Sequence, residues 1–455
     1  MNFRQRVVRG LLSSLTARAM SLVIQLVTIP VLVRTWGVQT YGEYLTLIAL
    51  AAYLPLMTLG MQQAALSEMS IAFSRGESER YANALRCLFQ AILGVSLVGL
   101  AVHLLVAQFA PDPAAGGRAY AAPTALLFLG LQQILQLNLG VATNAISATG
   151  RYGESQALDT VRLVMDGVAL WTSVLLLGWG PDRTAMASAT ITGVFLGIAW
   201  LRFRLVAPHR PGLFRRGDWR AFAKLWRSVL GAFAMTNGYN VLIVHGPRLL
   251  LASQAGPGAV AVFAIVWTLL GVFRQGFEML IQPLVVEFSY AFGAGARDRA
   301  ERMLGLGLAG ALAICLGAAA PLFVFAPWIF DVATDGKLQP PLTLLAILWA
   351  VLLAYTASAI FHIALLATNR AQAALPWLVP WTLLSAAAAC GLAAALGLYG
   401  VALGLLLFQL GFSVVVTATA LKVFGLTLEG VVGRLRTTDV AFLLQKLGGR
   451  RARPE

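Results

Sequence analysis

The chain has 455 residues, of which 59% are hydrophobic and 12% charged, with a formal net charge of +15. An ordinary soluble domain carries roughly 45–50% apolar and about 25% charged residues, so this composition belongs to a membrane protein. Apolar runs of spanning length, separated by short polar breaks, leave no stretch large enough to form a catalytic domain with its own core.

At about 20 apolar residues per crossing, the sequence predicts twelve spans, at 11–33, 43–64, 86–109, 120–145, 157–178, 184–205, 226–250, 258–282, 303–326, 341–366, 374–396 and 401–421. Arg4, Arg6 and Arg9 precede the first run as in a signal peptide. That run continues to Val33 without a small-residue cleavage site, and reads as the retained first span. An even number of spans puts both ends on one side, and the basic residues select the cytoplasm. In that orientation 26 of the 34 lysines and arginines lie in the tails or cytoplasmic loops. Arg34, Arg118, Arg183, Arg248 and Lys337 are then external, and Arg18, Arg162 and Arg274 fall within spans. Eight basic residues from Arg202 to Arg227 surround the link between spans 6 and 7, serving as a topological anchor or as a site for anionic headgroups. Beyond Leu421, apolar and basic residues alternate as in an amphipathic helix on the inner membrane surface. The expected organisation is an N-terminal six-helix lobe at 1–205, a basic linker at 206–224, a C-terminal lobe at 225–422 and a basic tail at 423–455. Cys87, Cys315 and Cys390 lie within apolar runs without metal-type spacing, and read as packing residues.

An internal repeat appears at an offset of 219. Gln63 to Arg80 aligns without gaps with Gln282 to Arg299, seven of eighteen positions being identical, including Glu68 with Glu287, Gly76 with Gly295 and Arg80 with Arg299. Ala148-Thr149-Gly150-Arg151 meets Ala367-Thr368-Asn369-Arg370, and Gly37 meets Gly256, at the same offset. Six spans per copy return the chain to its starting side, so the copies are parallel repeats. The fold class read from this pattern is an all-α multispan membrane protein with twelve transmembrane helices in two parallel six-helix repeats and a central cavity.

The segment Pro30-Val31-Leu32-Val33-Arg34-Thr35-Trp36-Gly37-Val38-Gln39-Thr40-Tyr41-Gly42-Glu43-Tyr44 resembles the N-terminal signature of bacterial polysaccharide and O-antigen flippases. Gly256 to Phe263 looks like their glycine-rich opening of span 8. Their superfamily also contains multidrug and toxin extrusion antiporters and the lipid II flippases. The resemblance implies a flippase moving an undecaprenyl-diphosphate-linked oligosaccharide across the bacterial inner membrane by alternating access, for surface polysaccharide (lipopolysaccharide O-antigen) biosynthesis. The implied partners are membrane lipids, the lipid-linked oligosaccharide, a polysaccharide polymerase and a chain-length regulator, with no nucleic acid. No cofactor is expected; a proton or sodium gradient is the candidate driving force. A cation-coupled multidrug antiporter is the alternative, and a membrane-embedded O-antigen polymerase a more distant one.

Ionisable side chains within spans mark the candidate site. Arg18 in span 1 and Arg274 in span 8 sit at similar depth and form a candidate clamp for diphosphate, while Glu278, one turn from Arg274, offers local neutralisation instead. In span 5, Asp159, Arg162 and Asp166 share one helix face as an acid–base–acid row, read either as a self-stabilising network or, with Glu278, as a source of a coupling carboxylate. Span 7 carries Asn237, Tyr239 and Asn240, candidates for sugar hydroxyls, and Arg248 near its outer end, a candidate for the diphosphate. Its glycines and Pro247 predict a bent helix beside a cavity. Arg34 and Glu43 flank the turn between spans 1 and 2, as an external gate or a solvated pair. No phosphate-cradling Gly-x-x-x-x-Gly-Lys-Ser/Thr loop, Asp-x-Asp pair, Gly-x-Ser-x-Gly or His-Glu-x-x-His occurs, which argues against an enzyme.

Overall fold

A computed structural model describes residues 3–108, 122–206, 212–293, 297–336, 338–339, 341–368 and 370–433. The described chain is helical, with no strand among these residues. Eight segments are long and apolar enough to cross a membrane. Three of them, Ala19–Thr58, Ala122–Leu175 and Ala371–Phe424, hold two crossings each. The two crossings meet at a glycine of positive φ: Gly37 (81°), Gly150 (79°) and Gly397 (53°). Only a residue without Cβ adopts this backbone readily, so these glycines turn the chain back on itself. With span 7, built from the shorter helices Trp219–Phe233, Tyr239–Val244 and Gly246–Gln254, the chain is a twelve-helix membrane protein in two parallel six-helix repeats.

The repeat is written in the backbone as well as the sequence. Gly37 and its mate Gly256 have the same φ of 81°, and Gly178 and Gly397, also 219 residues apart, have φ of 63° and 53°. Ser78 and Arg297, each opening the third helix of its copy, keep the offset too. The repeated Glu68 and Arg80 are ion-paired with each other, and Arg80 also bonds Glu77 at 2.9 Å. Gly76 takes a φ of 72° in the tight turn between them. The best-matched part of the repeat is therefore a structural clasp on the turn between spans 2 and 3. The turns at Gly37 and Gly256 also meet: a Cβ on Gly42 would stand 1.8 Å from the Pro257 carbonyl oxygen, and one on Gly258 would stand 3.8 Å from Gln39 Oε1. Gln39 and Gly258 are themselves repeat mates.

The chain forms two compact units, one of Met1–Ile265 with Asp331–Leu338 and one of Val266–Phe330 with Gln339–Glu455. The unit boundary thus falls after the start of span 8 rather than in the basic linker. Span 7 packs against spans 1 to 3. The described part of the linker is seated on span 3: Gln90 donates to the carbonyls of Leu213 (3.1 Å) and Arg215 (2.7 Å), and the Asn83 side chain accepts from the Asp218 amide at 2.7 Å. Asp218 then caps the first helix of span 7. The amphipathic segment expected after 433 lies outside the described residues.

Polarity in the first unit is inverted as a lipid solvent requires. Span 6 buries Thr184, Ser188 and Thr192 with Ala185 and Ala189, while Val194, Ile198, Leu201 and Leu205 face outward. Small and hydroxyl-bearing side chains let helices approach closely and share hydrogen bonds where apolar burial gives no advantage. Span 3 does the same, turning Ser96 and His103 inward while Leu97 is 62% exposed. The second unit has a greasier interior. Phe288 stacks on Phe292 and Phe424 meets both edge-on, Phe273 meets Trp349 edge-on, and the hydroxyl pair Ser358–Ser413 (3.0 Å) lies near Gln409.

Two predictions follow from this architecture. Reporters fused after Arg75, Arg151, Arg216, Arg297 and Arg370 will report the cytoplasm, and those after Asp112, Asp182 and Lys337 the exterior; one inverted pair would break the twelve-span topology. Gly42→Ala will lower the thermal midpoint in detergent, since overpacking against backbone costs about 1–3 kcal/mol. Gly94→Ala, whose Cβ would meet nothing within 4 Å, will not.

Candidate functional site

Span 2 does not run through the membrane as one helix. It leaves helical geometry after Ala51, makes a tight turn at Leu54–Thr58, passes through Leu59 (φ 45°) and Gly60 (φ 82°), and resumes at Met61–Ser74. The Leu59 carbonyl accepts from the Trp226 indole at 2.7 Å, so span 7 supplies one of the partners that the broken helix lacks. A Cβ on Gly60 would stand 2.9 Å from Phe233, which holds the break against span 7. Span 7 is irregular in its turn, with one wide π-type turn at Ala234–Gly238 and a second discontinuity at His245. Irregular backbone at membrane depth persists only where protein or a water-filled cavity satisfies it.

Such a cavity adjoins the break. Pro55 and Gln62 of span 2, Gln133, Gln136, Gly140, Thr143 and Asn144 of span 4, and Asp159 and Arg162 of span 5 line a space of about 480 Å³ inside the first unit. Gln62 is fixed by donating to the Leu137 carbonyl at 3.0 Å. Gly140 makes room for it, since a Cβ there would stand 2.7 Å from its Oε1. Gln136 is exposed although it lies in mid-span, because it faces this space. A second, smaller cavity of about 220 Å³ lies among Thr28, Tyr41, Tyr44, Gln132, Asp166 and Ser188. Gln132 donates to Asp166 Oδ2 at 3.4 Å there.

The span 5 row is therefore divided. Asp159 and Arg162 face the large cavity and Asp166 the small one, and Arg162 forms no ion pair with either acid. Its Nε is buried without a hydrogen-bond partner. In span 7, Tyr239 is buried while Asn237 and Asn240 are exposed. Arg248 lies beside Tyr41, half-buried, its Nε likewise unpartnered. Arg274 is half-buried in span 8; the side chains of Arg18 and Glu278 lie outside the described residues. Arg34 pairs with Asp335 at 3.8 Å and donates to the Val332 carbonyl at 2.5 Å, rather than closing on Glu43 across its own turn.

The amides that line the large cavity are not repeated at the equivalent positions of the second copy. The mates of Gln133, Gln136 and Asn144 are Leu352, Tyr355 and Ile363, and those of Asp159 and Arg162 are Leu378 and Trp381. Leu352, Tyr355 and Leu378 are buried hydrophobic residues. Even Gly140, which seats Gln62, is matched by Ala359, while Gln62 is matched by Ile281. The amide positions are thus apolar in the second copy, while Pro55 and Thr143 of the lining are matched there by Arg274 and His362.

No family profile matches the chain, and neither does any curated protein. Solved structures do match its fold. An inward-facing multidrug resistance MATE family transporter of the MOP superfamily aligns over 93% of this chain and 99% of its own, at 13% identity and a TM-score of 0.69. An outward-facing transporter of that family aligns over 92% and 95%, at 14% identity and 0.62. The lipid II flippase MurJ in an inward closed conformation aligns over 97% and 94%, at 14% identity and 0.60. At such identity these likenesses establish the fold alone, that of MOP-superfamily transporters.

The cavity geometry makes a prediction about water. In a background without the native cysteines, Gln136→Cys will react readily with a water-soluble thiol reagent, and its repeat mate Tyr355→Cys will resist it. Equal reactivity at the two positions would remove the distinction between the copies.

Proposed function

We propose that the protein is a flippase that moves an undecaprenyl-diphosphate-linked oligosaccharide across the bacterial inner membrane by alternating access, for surface polysaccharide assembly. The observation that carries this reading is the pair Arg162 and Arg248. Both lie in membrane-spanning helices, both keep a buried Nε without a partner, and neither forms an ion pair with a described residue. Both side chains are half-buried, and arginine stays charged in such surroundings. A cargo bearing a diphosphate offers their unpartnered Nε groups an acceptor, and the guanidinium holds phosphate oxygens through paired hydrogen bonds. Arg18 and Arg274 are further diphosphate ligands in this reading, Asn237, Tyr239 and Asn240 further glycan ligands, and Arg34 with Asp335 an external latch.

A second reading is favoured by the smaller cavity. Asp166, flanked by Tyr41, Tyr44 and Gln132, is a compact acidic and aromatic site of the type that suits an organic cation, and MATE transporters share the fold. Under the flippase reading the same carboxylate serves a proton or sodium gradient.

Proteoliposomes loaded with lipid-linked diphospho-sugars separate the two. The wild type will translocate them, Arg162→Ala and Arg248→Ala will lose most of that activity, and Arg→Lys, which keeps the charge but not the planar fork, will retain part. Lipid translocation that is absent, together with export of cationic dyes that Asp166→Asn abolishes, would replace the flippase with the antiporter.

A further inference from the structure

We propose that the large cavity of the first unit is a sugar subsite, which seats the part of the glycan next to the diphosphate. The inference rests on the flippase reading and adds to it where, and by what chemistry, the glycan is held. Gln62, Gln133, Gln136 and Asn144 put four primary amides around one space. Each amide both donates and accepts, as each sugar hydroxyl does, and the Asp159 carboxylate accepts from hydroxyls as well. An apolar cargo or lipid chain would leave these groups unpaired on desolvation. A volume of about 480 Å³ lies within the roughly 300–1,000 Å³ of small-molecule sites. Arg162 stands on the wall with its Nε unpartnered, so a phosphate attached to the seated sugar would meet a cation directly.

The repeat supplies the argument that this polarity is not structural. Leu352, Tyr355, Ile363 and Leu378 stand in the second copy where the first has Gln133, Gln136, Asn144 and Asp159, so the fold is built without amides there, although Arg274 and His362 match Pro55 and Thr143 of the lining. Polar groups in mid-membrane are retained where they line a pathway or bind something. The broken span 2 agrees, since Pro55 of its turn is part of the cavity wall.

The test uses the full chain in nanodiscs and farnesyl diphosphate, either bare or carrying a single hexose, N-acetylhexosamine or hexuronic acid. The wild type will bind at least one glycosylated probe about tenfold more tightly than the bare diphosphate, as an added set of well-made polar contacts provides. The double substitution Gln133→Leu with Asn144→Ile, which installs the residues of the second copy, will erase that difference and leave bare-diphosphate affinity unchanged. Should this variant lose its thermal transition, Gly140→Ala, which displaces Gln62 without adding an apolar side chain, gives the same readout. Binding of bare and glycosylated probes with equal affinity by the wild type overturns the sugar subsite and leaves the flippase standing. A preference that survives both variants overturns its location. Failure to bind any diphosphate lipid overturns the flippase reading, and this inference with it.

Discussion

Inside a bilayer no water is present to satisfy a peptide group, and the rest of this structure depends on that constraint. Where the sequence is uniformly apolar, backbone polarity is closed within each helix, and the chain can turn only at its ends, at Gly37, Gly150, Gly178, Gly256 and Gly397. Where a span is interrupted, as in span 2 after Ala51, the freed groups need other partners. The Trp226 indole on the Leu59 carbonyl is one, and the amide-lined space has Pro55 of the break in its wall. The break, the irregular span 7 packed against it and the polar chamber are thus one feature seen from three sides.

Two copies of one helical pattern have been put to different chemical uses. What they share is geometric: matched turn glycines and the same helix starts. What differs is the lining: amides, an acid and an arginine at positions where the second copy has leucine, isoleucine, tyrosine and tryptophan. A shared pattern reports the fold, because both copies need it. A difference at equivalent positions reports chemistry, because the fold has been made without it.

The twelve spans were legible because length and hydropathy leave few alternatives in a membrane, and the 219-residue offset because the two copies keep the same residues at a turn that Glu68 and Arg80 clasp in the first copy. The candidate site was legible only in part. Attention to ionisable groups found Arg162, Asp166 and Arg248, but their division between two cavities depends on the packing of span 5 against span 4. The amides were overlooked, although Gln133, Gln136, Gly140 and Asn144 follow helical spacing along one face of span 4, a signal present in the sequence. The break in span 2 was hidden because Pro55 and Gly60 sit in an otherwise apolar run. The pairing of Arg34 with Asp335, about 300 residues away, has no local sequence signature.

The membership of the first unit bears on how the protein is made. That unit takes in span 7 and the segment Asp331–Leu338, which a ribosome delivers long after spans 1 to 6 have entered the membrane. Synthesis proceeds at about 5–20 residues per second, so the early helices wait many seconds for the Trp226 indole and for Asp335. During that interval the Leu59 carbonyl lacks the Trp226 indole and has only water, lipid headgroups or insertion machinery to satisfy it. The ability to await late-arriving partners without being degraded is therefore a demand placed on the nascent chain, separate from any demand placed on the finished protein.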